Sequence, residues 1–120
     1  FAYQASVDSG PSIPFEALPA SVQAELTDKL DRGAQSLAIG DWDGASRYFM
    51  ESWELHPRNP DARAGLAQIV DKLAERIAGA GSRRELELLQ RFSDAYAEHP
   101  YFADNRRFMD LQRDLAEQLR

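Results

Sequence analysis

The side chains with chemistry to offer sit at two matching turns. Phe49, Trp53, His56 and Pro57 recur at the same intervals as Phe92, Tyr96, His99 and Pro100, 43 residues further along. These are the only two histidines, so a metal site or a protonation switch would have to be built on them. A metal ion needs several convergent ligands, and in a chain without cysteine nothing at these spacings supplies the rest. At helix ends, the two rings are better employed against the negative pole of the helix dipole.

The other reactive groups are equally quiet. Carboxylates are abundant, Asp41, Asp43, Glu51 and Glu54 among them, but none is paired in an apolar setting that would tune it for acid–base work. There is no Ser–His–Asp spacing, no phosphate-cradling glycine loop and no HExxH helix. Gly79-Ala80-Gly81 is too short for a phosphate and reads as a turn. Trp42 and Trp53 offer faces for ligand stacking, but their helical spacing with Ala45 and Phe49 marks them as packing residues. The expectation is a protein that is not an enzyme, with no catalytic residue, cofactor or metal.

Composition narrows the partners. Twenty acidic residues against 14 basic ones leave a net charge of −6, which argues against nucleic acid, since phosphate binding needs a concentrated basic face. No apolar run reaches the roughly 20 residues that span a bilayer, and no signal-peptide pattern is visible. The chain begins at Phe1, and lysine is confined to Lys29 and Lys72. The expectation drawn is a domain of a longer, bacterial protein, with the envelope as its place and the cytoplasm as the alternative.

Residues 1–17, with Gly10, Pro11, Pro14 and several serines, read as an extended linker or strap. Phe1, Tyr3, Ile13 and Phe15 could pack in extended form against the helical domain. Residues 18–120 read as that domain, with helices near 19–39, 42–55, 60–79, 83–98 and 101–119. Val22, Leu26, Leu30, Ala34 and Leu37 form the first apolar stripe. Gly40 suits a left-handed helix end and Asp41 an N-cap. Trp42, Ala45, Phe49 and Trp53 share one side of the second helix, which Pro57 stops. Asn59-Pro60 restarts the chain as N-cap and first helical residue. Ala62, Leu66, Ile69, Leu73 and Ile77 mark the third helix, and Ser82 to Glu85 has capping-box spacing for the fourth. Phe108, Leu111, Leu115 and Leu119 stripe the fifth, whose polar outer face suits the end of a stack. No segment alternates as a strand does.

The unit from Leu26 to Pro60 resembles a tetratricopeptide repeat. Gly33 and Ala45 occupy the small positions where two helices cross, Gly40 to Asp43 the turn, and Phe49, Ser52 and Pro57 the late aromatic, late small and turn-proline positions. In the second unit, Leu66-Ala67, Phe92, Ala95 and Pro100 fit. Leu88 replaces a small residue there, and the spacing is about nine residues longer than the usual 34. The resemblance implies an all-α fold: two antiparallel helix hairpins plus a C-terminal capping helix, wound as a right-handed superhelix.

It also implies a concave face that accepts a protein or peptide partner. On the first helix that face carries Thr27, Leu30, Ala34 and Leu37. On the third it carries Asp61, Ala64, Gln68, Asp71 and Lys72. Leu30, Ala34, Asp61 and Gln68 stand where the variant that clamps acidic tails needs basic and amide groups, so an apolar or basic peptide is expected instead. Three alternatives stand beside this: a homo-oligomerisation domain forming a homodimer, because two hairpins are few for a stable array; a groove filled by the chain's own strap through Phe15 or Ile13; and, last, a small-ligand or metal-binding domain resting on the twin His–Pro turns.

Overall fold

Side-chain punctuation decides where each helix starts and stops. The computed structural model describes residues 13–120, so the expectations for Phe1 and Tyr3 lie outside the described residues. After a single 3-10 turn at Phe15–Ala17, the helices are α1 (Ala20–Ala38), α2 (Trp42–Leu55), α3 (Pro60–Gly79), α4 (Arg83–Tyr96), α5 (Pro100–Ala103) and α6 (Arg106–Gln118). Among the described residues there is no strand, and the protein is all-helical.

Gly40 ends α1 at φ +81°. Its N–H donates to Leu37 O at 3.1 Å and the Asp41 N–H to Ser36 O at 2.8 Å, the paired bonds by which a left-handed residue satisfies the last carbonyls of a helix. Asp41 then turns from stop to start, its Oδ1 accepting the Gly44 N–H at 3.0 Å. Asn59 opens α3 by accepting the N–H groups of Asp61 and Ala62 at 2.9 and 3.0 Å. Ser82 opens α4 by accepting from Glu85 N–H at 3.2 Å.

The chain divides into two compact units that meet within α3, at Leu66 and Ala67. In the first unit α1 and α2 pack closely along their length. Gly33 faces Phe49, and Lys29, one turn earlier, reaches Glu51, further along α2, at 2.7 Å. Residue numbers falling on one helix while rising on the other define an antiparallel hairpin, as a short connection demands. The close approach turns on Phe49. A Cβ on Gly33 would stand 2.8 Å from its ring, and one on Gly65 would stand 2.5 Å from it, far inside van der Waals contact. The ring therefore lies in the space two glycines leave open, on α1 and on α3. Leu26, Ala45, Ala62 and Leu66 complete a core shielded from water.

In the second unit Ile69, Val70, Leu73 and Ile77 of α3 are buried, with Tyr96, Phe102, Phe108 and Leu115. The helix expected over 101–119 is two elements. His99 Nδ1 accepts the Tyr101 N–H at 3.2 Å, Pro100 takes the first position of α5, and Asn105 Oδ1 accepts the Phe108 N–H at 2.8 Å to begin α6. The Asn105 side chain thus offers the backbone a second start. The break swings Phe102 inward, where it is 1% exposed and meets Phe108 with ring centroids 4.7 Å apart and Tyr101 edge-on at 5.4 Å. Helix α6 runs antiparallel to α4: Arg83 donates to Leu119 O near one end, and Gln112 donates to Asp94 at 3.3 Å nearer the other.

Candidate functional site

The turn between α2 and α3 positions the most organised polar group of the first unit. Pro57 and Arg58 take its two central places, and the Asn59 N–H closes it on His56 O at 3.0 Å. Arg58 is the one described non-glycine residue at positive φ, +60°, a conformation that costs an L-residue about 1 kcal/mol or more. The turn brings His56 and Asn59 side by side, 2% and 4% exposed.

Hydrogen-bond direction can be followed through this pair. Backbone N–H groups can only donate, so the atom of Asn59 facing Asp61 and Ala62 is its oxygen. Its Nδ2 therefore faces His56 Nδ1 at 2.9 Å and donates to it. The imidazole proton must then sit on Nε2, which donates to the carbonyl of Ile13 at 2.5 Å. His56 stands at the C-terminus of α2, as its C-cap, and its ring is in addition a buried latch, tying the start of α3 to the strap ahead of α1. Sequence reasoning passed over this role. The spacing His56-Pro57-Arg58-Asn59-Pro60 was its only signal.

The strap from Ile13 to Pro19 lies along α1. Gln23 Nε2 donates to Leu18 O at 2.9 Å and to Glu16 O at 3.4 Å. Between the strap, α1 and the first turn of α3 is an open cavity of about 480 Å³, lined by Phe15, Thr27, Leu30, Asp31, His56, Asn59, Pro60 and Asp61. A shallower depression of about 660 Å³ continues along α1 past Ala20, Gln23, Ala24 and Asp28 and shares Phe15, Thr27 and Asp31. The walls of the first cavity are apolar at Phe15, Leu30 and Pro60, and its open rim carries the exposed carboxylates of Asp31 and Asp61.

Of the nine residues expected on the concave face, the cavity gathers Thr27, Leu30 and Asp61. Ala34, Leu37 and Ala64 belong to the same unit but do not line it. Gln68, Asp71 and Lys72 belong to the second unit, where Asp71 is engaged by Arg107 and Lys72 stands 3.9 Å from Glu75. The lining residues without a place in the sequence expectation are Asp31, His56, Asn59 and Pro60. Trp53, half-buried, lies under Arg63, whose guanidinium carbon is 5.8 Å from the ring centroid.

Among the described residues no three histidine or acidic side chains gather to hold a metal ion, and no helix is long and apolar enough to cross a membrane. No family model matches the chain, and no curated protein or solved structure matches it either.

Proposed function

We propose that the chain is a tetratricopeptide-like scaffold whose groove along α1 takes up a peptide segment of a partner protein, with no catalysis of its own. The observation that carries this reading is the cavity between the strap, α1 and the start of α3. It joins apolar walls to a small number of fixed polar groups, the usual make-up of a recognition site. The close α1–α2 hairpin around Phe49 supports the tetratricopeptide resemblance, because small residues where helices cross are its physical core. Two further features favour a preformed groove. The His56–Asn59 pair fixes one wall to the strap, and Phe15 lines both depressions, so the strap forms part of the site.

Selection from a displayed random-peptide library with the folded chain as bait tests the reading. The expected result is a peptide family whose binding is lost in Leu30→Glu while far-ultraviolet circular dichroism is unchanged. Selected peptides that bind wild type and Leu30→Glu equally would contradict it.

A further inference from the structure

We infer that the cavity is a socket for one cationic side chain, arginine or lysine, of the bound peptide; this rests on the groove reading above and names the chemistry it selects.

The polar floor of the cavity is already committed. Asn59 spends its oxygen on two backbone N–H groups and its amide nitrogen on His56, and His56 spends its remaining N–H on Ile13. Among the described residues a ligand therefore meets few open polar side chains: the Thr27 hydroxyl and the carboxylates of Asp31 and Asp61. Among the described residues neither carboxylate forms an ion pair, whereas the neighbouring Asp28 is held by Arg32 at 2.9 Å. Among the described residues no lysine or arginine lines the cavity, and its one imidazole, His56, is already bonded at both nitrogens; Arg58, in the adjoining turn, is outside it, and Lys29 is committed to Glu51 and Glu25.

The apolar surfaces of Leu30, Pro60 and Phe15 suit the methylene stem of a long basic residue, which buries its carbons while its charge stays at the rim. The Phe15 ring adds a face to which a cation is attracted. A net charge of −6 on the chain draws a basic segment and repels an acidic one. An uncharged apolar side chain would fill the walls and leave the two hydrated carboxylates at its edge without a counter-charge.

The test compares acetyl-leucyl-arginyl-leucinamide with its citrulline counterpart, which keeps shape and loses charge. Both are titrated into the full chain at low ionic strength, with amide chemical shifts as readout. The expected result is saturable shifts at Thr27, Leu30, Asp31 and Asp61 for the arginyl peptide, with affinity about tenfold above the citrullyl one, the scale of charge-assisted over neutral contacts. Asp31→Asn with Asp61→Asn should weaken the arginyl peptide about fivefold, as losing one or two partly exposed ion pairs does, and change the citrullyl peptide much less, since its ureido group can bond an amide oxygen as it does a carboxylate. Asp31→Asn alone, at an exposed position with no hydrogen bond to lose, keeps the comparison available if the double variant fails to fold.

Equal affinity for the two peptides, or an arginyl affinity untouched by the Asp31 change, would overturn the socket. Tighter binding of spermidine at the same residues would overturn it in favour of a small-amine site. A groove that loses its library-selected peptide in Leu30→Glu but ignores charge would refute the socket and leave the scaffold reading standing.

Discussion

Cζ of Phe49 lies 2.5 Å from the point where a Cβ on Gly65 would stand. The same ring is crowded from the α1 side by Gly33, so it has nowhere to retreat. Gly65→Ala should therefore destabilise the protein, although alanine favours a helix over glycine by about 1 kcal/mol. Overpacking of a close contact costs about 1–3 kcal/mol, and a net loss is expected in urea unfolding. Phe49→Leu in the same chain should recover part of it. A Gly65→Ala protein as stable as wild type would show that α3 does not close on this ring.

The turn at Arg58 makes an opposite prediction. Arg58→Gly removes a side chain from a left-handed position and should raise stability by up to about 1 kcal/mol, since glycine takes that conformation without strain. Thermal unfolding reads the change. A fall in stability would mean that the Arg58 side chain contributes more than its backbone costs.

The His56–Asn59 pair is testable by nitrogen spectroscopy. Long-range proton–nitrogen correlation should show the His56 proton on Nε2 with Nδ1 as acceptor. Asn59→Ala deletes two N-cap bonds of α3 and strands the buried Nδ1. Its expected cost is about 2–3 kcal/mol, combining a lost cap with an unsatisfied buried group. A proton on Nδ1 would contradict the assigned direction of the chain of bonds from Ile13 to α3.

Lys29 carries a pH signature. Its hydrogen bond to Glu51, aided by the nearby charges of Glu51, Glu25 and Asp28 against partial desolvation, raises the ammonium above its ordinary 10.5. A raised basic group stabilises the fold below its unfolded value and loses that contribution as pH climbs through the folded one. Lys29→Met should thus weaken the protein at neutral pH and cease to matter in strong alkali. The pair is partly exposed, so the effect at neutral pH should be about 0.2–1 kcal/mol, read from urea midpoints across pH.

The all-helical class is legible in the sequence because each apolar stripe steps by three and four residues and is bounded by a residue that suits a cap. Gly40, Asp41, Asn59 and Ser82 carry that information locally. The break at Asp104 and Asn105 is not legible in the same way. Tyr101, Phe108, Leu111 and Leu115 continue one helical stripe across it, and only the burial of Phe102 against Phe108 and Tyr101 favours the Asn105 cap over an unbroken helix. Gly65 shows the same limit. A glycine in mid-helix announces a close approach, but which ring fills the space is set by α2. At the groove, Thr27, Leu30 and Asp61 follow from helix position, and Asp31, one turn beyond Thr27 on α1, shares that face, whereas His56 and Asn59 enter through a turn whose geometry no periodicity records.

The central claim is that the face formed by the strap, α1 and the start of α3 is where a peptide binds. Amide hydrogen exchange of the chain with and without a library-selected peptide tests it most directly. The account predicts slower exchange on binding in residues 15–31 and 56–62 and little change in α4 and α6. Slowing confined to α4 and α6, with the α1 face unaffected, would contradict it.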